Sequence, residues 1–265
     1  MTGSRRSRRS GRAPGGEERR SGGGEPDRLA FASLVVRQPR RGYRFSVDSV
    51  LLADFAGPFC GGSVLDLGTG SGIVLLLLAR LCPGLSHGVG VELQPELFEF
   101  ARVNIEANGL SGRLSAVLGD FREKVPGAPA GSFDLVVSNP PYRPVGQGRR
   151  NPDSQKAIAR HELACTMADL FRAAARFLSP KGRFAALGLP RRLHEILALA
   201  SASGLSVETL RFVHPMPGRP ANLVLFAASR RKGGGPDVLP PLCVYAAPGR
   251  YSQEAQAVFR GLLRK

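Results

Sequence analysis

The chain has 265 residues, enough for one full domain with a sizeable core or two small ones, and its 43% hydrophobic and 22% charged content is ordinary for a soluble globular protein. Against 21 Asp and Glu it sets 37 Lys and Arg, and the net charge of +16 favours polyanionic partners, meaning nucleic acid or an anionic membrane face. Its four cysteines, Cys60, Cys82, Cys165 and Cys243, form no C-x-x-C pair, which argues against a zinc site or a disulfide framework and for reduced thiols in a cytoplasmic protein without a metal.

Residues 1–28 are rich in Arg, Gly and Ser and hold eight Arg against four acids, so +4 of the charge lies here and +12 in the remainder. Such a composition cannot bury enough apolar surface to order itself. The expected organisation is a disordered tail over 1–28, either simply solvated or an RNA-contacting arm, followed by one domain over 29–265. No apolar run follows the basic residues, so the start does not read as a signal peptide. "FASLVVRQP" reads as a strand and "SVDSVLLADFA" as a helix capped by Ser46 or Asp48.

Strand and helix then alternate. "SVLDLG" is a strand, and "IVLLLLARL" is a buried helix, far too short to span a membrane. "HGVGVEL" is a strand, and "QPELFEFARVNIEANGL" is a helix with Pro95 in its first turn and Gly109 at its end. "RLSAVLGD" and "SFDLVVSN" are strands, "ELACTMADLFRAAARFL" a helix, "GRFAALGL" a strand and "PRRLHEILALASASG" a helix. "LSVETLRFVHP", "ANLVLFAASR" and "LCVYAA" complete the strands, and "SQEAQAVFRGLL" closes the chain as a helix. Strands separated by helices of this length predict βαβ units, hence a parallel sheet covered on both faces.

"LDLGTGSG" joins the first of these sheet strands to its helix. Gly68, Gly70 and Gly72 permit a tight turn and let a ligand approach main-chain N–H groups at a helix N-terminus. Glu92, at the end of the next strand, is placed to accept from ribose hydroxyls. A nicotinamide-dinucleotide fingerprint needs a third glycine where Ile73 stands. With Asp66 two residues ahead of Gly68, the D-x-G-x-G-x-G spacing instead resembles the first motif of S-adenosylmethionine-dependent methyltransferases. A glycine loop without a ligand is the bland alternative. The resemblance implies that Asp120 bonds the cofactor's adenine amino group and that Phe121 lies beside the adenine ring.

"SNPPY" follows the fourth strand of the series. Pro140 and Pro141 make a stiff segment that cannot enter a strand ladder, and Asn139 before them is pushed towards extended geometry. A plain loop would read the same way. At this point of the chain, Asn139, Pro140, Pro141 and Tyr142 resemble the catalytic motif of methyltransferases that act on planar amino nitrogens. The lone pair of such a nitrogen is delocalised. An Asn139 side-chain oxygen and a Pro140 carbonyl can each accept one of its N–H groups and let it pyramidalise, with no strong base required. Tyr142 offers a flat face for stacking a base, a contact worth ~1–3 kcal/mol.

Four further stretches, 38–55, 151–163, 211–228 and 240–259, resemble the tRNA adenine-N6-methyltransferases that modify the adenine beside the anticodon of valine tRNA. The resemblance spans roughly 30–262. It implies a class I, Rossmann-like α/β fold, doubly wound, with a mainly parallel seven-stranded sheet and helices on both faces. It also implies S-adenosylmethionine as cofactor, RNA (tRNA first) as partner, and no membrane or obligate protein partner. Phe45, Ser46 and Asp48 would pack over the methionine end of the cofactor. Arg143, Arg149 and Arg150, in a Gly- and Arg-rich loop whose length is not matched to the family pattern, either clamp a phosphate backbone or belong to plain mobile surface. Arg160 and His161 either line the substrate side or are inert surface. Release-factor glutamine N5-methyltransferases share "DLGTGSG" and "SNPPY", but carry a helical substrate domain for which only about 35 foldable residues are available here. DNA adenine methylation, which normally needs a separate target-recognition region, and a noncatalytic RNA-binding module are the remaining alternatives.

Overall fold

The computed structural model describes residues 26–29, 34–39, 46–140, 165–231 and 233–263. Strand β1 (Pro26–Leu29) pairs antiparallel with β2 (Leu34–Arg37). Helix α1 (Val47–Ala56) follows, then β3 (Ser63–Leu67), α2 (Ile73–Leu81), β4 (His87–Glu92), α3 (Pro95–Ala107), β5 (Leu114–Leu118) and β6 (Phe133–Ser138). Beyond them lie α4 (Met167–Phe177), β7 (Leu178–Gly188), α5 (Leu193–Ala202), β8 (Ser206–His214) and β9 (Leu223–Ser229). Short strands β10 (Asp237–Val238), β11 (Leu242–Cys243), β12 (Tyr245–Ala247) and β13 (Arg250–Tyr251) precede α6 (Gln253–Leu263).

Seven strands form the body of the main sheet in the order β8-β9-β7-β6-β3-β4-β5, with β10 and β11 both added to β8. Only β9 runs antiparallel to its neighbours β7 and β8. The fold is therefore the class I methyltransferase arrangement expected from the sequence, extended at one edge by two strands too short to show a period in the residues.

One face of the sheet is covered by α1, α2 and α6, the other by α4 and α5. Leu75 to Leu78 of α2 are wholly buried, because this helix is wedged between the sheet and both α1 and α6. That burial is why its sequence is apolar all round rather than on one stripe. On the opposite face Phe171 of α4 packs edge-on to Phe184 of β7 and stacks on Phe226 of β9.

Several boundaries differ from the sequence reading. The β1 ladder takes in Pro26 to Arg28, three residues of the segment assigned to the tail. Ser46, not Asp48, caps α1, its hydroxyl accepting from the Asp48 N–H at 3.3 Å. Helix α4 begins at Met167 rather than at Glu162: Thr166 and Asp169 form a reciprocal capping box that fixes its start, and Cys165 and Thr166 are non-helical. "LCVYAA" divides at Val244 into β11, which joins the main sheet, and β12, which turns away to pair with β13.

Candidate active site

Parallel strands β3 and β6 end side by side, with Asp66 level with Val137, so the glycine turn and the Ser138–Pro140 segment leave the sheet at one point. The Ser138 hydroxyl donates to the Leu67 carbonyl at 2.8 Å and ties the two strand ends together. Gly68, Gly70 and Gly72 all have positive φ. Gly72 directly precedes α2 at φ 82°, and a Cβ there would also press on Ala101 of α3 at 3.4 Å. Gly90 of β4 makes room from below, since a Cβ on it would come within 2.7 Å of the Thr69 side chain.

Two buried acids sit beneath this turn. Asp66 is 1% exposed and accepts from the Thr69 hydroxyl at 2.7 Å. Burial raises its pKa to about 7, against the Thr69 hydrogen bond and with help from the charge of Glu92. Glu92, also 1% exposed, accepts from the Gly70 N–H and the Gln94 N–H, both at 2.9 Å. In this arrangement Glu92 clamps the glycine turn onto the end of β4.

A cavity of about 390 Å³ opens over these strand ends. Its walls are Leu67, Gly68, Phe121, Ser138, Asn139 and Pro140, together with the start of α4 and the Arg192 and Glu195 pair. The size falls within the range of about 300–1,000 Å³ usual for small-ligand sites. Asn139 is oriented from the other face of the sheet: its side-chain nitrogen donates to Ser49 Oγ of α1 at 3.0 Å. Ser49 is wholly buried. In this arrangement the amide nitrogen of Asn139 is occupied and Oδ1 is left to accept.

Asp120, next to Phe121 of the cavity wall, is engaged by Arg122, which donates from Nε at 2.9 Å, from Nη2 at 2.5 Å and from its main-chain N–H at 2.9 Å. These hydrogen bonds, the side-chain ones foremost, hold the Asp120 carboxyl below its ordinary range. The adjacent turn is held by Arg176 of α4, which donates to the carbonyls of Phe121, Arg122 and Glu123 at 2.5–2.9 Å and lies over the Phe177 ring.

The N-terminal hairpin is docked onto the same region by two asparagines one helical turn apart. Asn104 of α3 accepts from the Arg37 N–H at 2.7 Å and donates to the Arg37 carbonyl at 2.8 Å and to the Ser71 carbonyl at 2.9 Å. Asn108 accepts from the Val35 N–H at 3.0 Å and donates to its carbonyl at 2.8 Å. Side-chain amides thus imitate a neighbouring strand along β2 and join it to the glycine turn.

The structure brings Asp66, Gly68, Gly70, Gly72, Glu92, Phe121, Asn139 and Pro140 to one end of the sheet. Asp48 is in the first turn of α1, one residue from Ser49. Phe45, Pro141, Tyr142, Arg143, Arg149, Arg150, Arg160 and His161 lie outside the described residues. Ser49, Asn104, Asn108, Arg122 and Arg176 were not singled out by the sequence reading. Of the arrangements the sequence reading passed over, the T-x-x-D capping pattern at 166–169 had a plain signal in the residues. Among the described residues no cluster of His, Cys, Asp and Glu could hold a metal ion, and no helix is long and apolar enough to cross a membrane.

The family model described as a methyltransferase domain matches residues 60–200. Over 237 residues the chain is 32% identical to the tRNA1(Val) (adenine(37)-N6)-methyltransferase of Porphyromonas gingivalis, covering 86% of this chain and 91% of that protein. The chain belongs to the tRNA1(Val) (adenine(37)-N6)-methyltransferase family. A second relative of the same name, from Tolumonas auensis, is 30% identical over 226 residues, 85% of this chain and 92% of that one. The solved structure of a predicted O-methyltransferase from Agrobacterium tumefaciens superposes with a TM-score of 0.63 at 20% identity, covering 81% of this chain and 96% of that one. That likeness is one of fold. The strand order, the glycine turn and the family together identify a methyltransferase.

Proposed function

We propose that this protein transfers a methyl group from S-adenosylmethionine to the N6 nitrogen of an adenine in tRNA, beside the anticodon, in the cytoplasm. The observation that carries the reading is the Asn139–Ser49 pair at the mouth of the cavity. With its amide nitrogen occupied, Asn139 offers Oδ1 to one N–H of an exocyclic amino group, and the Pro140 carbonyl takes the other. The two acceptors orient the nitrogen's lone pair and stabilise the positive charge that grows on it. Tyr142 would stack the extruded base. The relatives named for adenine-N6 methylation of tRNA favour this reading over methylation of a release-factor glutamine.

The residues present fit the cofactor, which supplies an electrophilic methyl group on a sulfonium centre. Ser71 Oγ, in the glycine turn, is buried with no hydrogen-bond partner among the described residues, which leaves it to serve a ligand. The glycine turn offers main-chain N–H groups at the start of α2. Gly68, Gly70, Gly72 and Asp66 would hold the amino-acid end, with Phe45 and Asp48 over it. Glu92 would receive ribose hydroxyls on the lone pairs its main-chain contacts leave free. Phe121 would flank the adenine. Asp120 would accept from the adenine amino group only by sharing its carboxylate with Arg122. Arg143, Arg149 and Arg150 are the proposed phosphate contacts beside the catalytic turn.

The test is methyl transfer from tritiated S-adenosylmethionine to unmodified total tRNA, ribosomal RNA and release factor in parallel, followed by nucleoside analysis. Label recovered as N6-methyladenosine from tRNA is the expected result. Label on release-factor glutamine alone would overturn the substrate and keep the chemistry.

A further inference from the structure

We propose that the loop between β8 and β9 and the β12–β13 hairpin form one docking platform for the RNA strand that flanks the target base; this rests on the RNA-methylation reading above. Strand β8 is antiparallel to β9, which is antiparallel to β7, so β8 points the same way as β3 and β6. Its last residue, His214, therefore lies at the edge of the sheet from which Asn139 projects. Three strand spacings separate β8 from β6, roughly 14 Å at about 4.8 Å each. That distance suits nucleotides next to an extruded base rather than the base itself.

The loop and the hairpin are built as a unit. His214 Nδ1 donates to the Arg219 carbonyl at 2.7 Å, and the Asn222 N–H donates to the Val213 carbonyl at 3.0 Å, closing the loop on itself. The Val244 and Tyr245 N–H groups then donate to the His214 and Pro215 carbonyls at 2.9 and 3.0 Å, sewing the hairpin onto the loop. Across the hairpin Tyr245 and Tyr251 stack with ring centroids 5.0 Å apart and planes 16° from parallel. Phe259 of α6 meets Tyr251 edge-on at 4.8 Å and fixes its attitude. Even so, Tyr251 remains 36% exposed. A flat aromatic pair held by its own scaffold is a stacking surface for bases of any sequence.

Charge completes the platform. The loop (214–222) and the hairpin (244–252) hold no Asp or Glu and two arginines, Arg219 and Arg250. Arg211 is consumed by Glu254. Arg219 at the loop tip and Arg250 in the hairpin are both exposed and form no ion pair among the described residues. Aromatic faces between uncompensated guanidinium groups match a single-stranded polyanion carrying bases, and match an acidic protein surface less well.

The experiment measures binding of the full chain to unmodified tRNA over a range of salt, and steady-state methyl transfer, for wild type, R219Q/R250Q, Y245A and Y245F. Melting temperature and cofactor affinity serve as controls for folding. The double arginine variant should bind tRNA about tenfold more weakly and lower the salt slope by about 1.4, at about 0.7 per lost contact. KM for tRNA should rise with kcat unchanged. Y245A should lose about tenfold in affinity and Y245F should retain it; if Y245A does not fold, the arginine variant decides alone. Wild-type affinity and salt slope in R219Q/R250Q, with RNA methylation intact, would overturn the platform and leave the function standing. A wild-type protein that methylates only release factor, binds no tRNA and loses release factor in R219Q/R250Q would overturn both, the surface then being a protein-docking site.

Discussion

Ser49 and Asn139, 90 residues apart in the chain, meet at 3.0 Å with the serine hydroxyl accepting from the asparagine side-chain nitrogen. The contact crosses the top of the sheet, from a helix on one face to the turn that follows β6. An asparagine amide has two ends of nearly equal size and opposite hydrogen-bonding character. In the structure the nitrogen end meets Ser49, and Oδ1 is the end left to accept.

Removal of the acceptor itself tests the reaction. Asn139→Ala should abolish methyl transfer while calorimetric cofactor binding stays near wild type. Retention of more than a tenth of the activity would contradict the assigned role. Ser49→Ala should leave Asn139 free to turn and lower kcat by about ten- to a hundredfold with KM little changed, because a misaimed acceptor costs positioning rather than binding. Equal losses in kcat and stability would mean that Ser49 only packs.

Asn104 is wholly buried and serves three main-chain groups, two of Arg37 and one of Ser71. Asn104→Ala leaves these groups unpaired and should destabilise the protein by about 3 kcal/mol, measured by chemical denaturation. Asn104→Asp should be no better, since a carboxylate cannot donate to the Arg37 and Ser71 carbonyls. Rescue of stability by Asp would refute the amide geometry.

Arg176 spans three carbonyls of the turn that carries Phe121. A lysine is a point donor and cannot reproduce that planar fork. Arg176→Lys should weaken cofactor binding about tenfold, equivalent to ~1.4 kcal/mol, and leave kcat at saturating cofactor unchanged. An unchanged dissociation constant in calorimetry would show that the turn holds without it.

What the residues disclosed and what they withheld divide along physical lines. The glycine turn, the acids at the ends of β3 and β4, and the Asn-Pro segment after β6 follow from backbone demands within a few residues. They were legible for that reason. Ser49 was not: a serine on the buried side of α1 is an ordinary small helical residue until Asn139 is brought over it. Asn104 and Asn108 read as mediocre helix formers, and their partners lie 67 and 73 residues earlier. Arg176 reads as a cation suited to a helix C-terminus. Its hold on the Phe121 turn exists only because α4 packs there. Strands β10 and β11 have two residues each, too few for alternation to mean anything.

Asp66 gives stability a pH dependence of known sign. Its folded pKa is raised from 3.8 to about 7, chiefly by burial. Below pH 4 the group is protonated in both folded and unfolded chains and costs nothing. Between about pH 4 and pH 7 the unfolded chain is ionised and the folded chain is not, so stability falls as pH rises. Above pH 7 both are ionised and the loss levels off at about 4 kcal/mol, because each pH unit between the two pKa values is worth about 1.36 kcal/mol. Asp66→Asn keeps an acceptor for the Thr69 hydroxyl and removes the ionisation. Wild type and variant should therefore converge in unfolding free energy near pH 4. By pH 8 the variant should be the more stable by several kcal/mol, as read from denaturant midpoints across that range. A gap that stays constant from pH 4 to pH 8 would mean that Asp66 ionises in the folded protein as easily as in the unfolded one, with the glycine turn open to water.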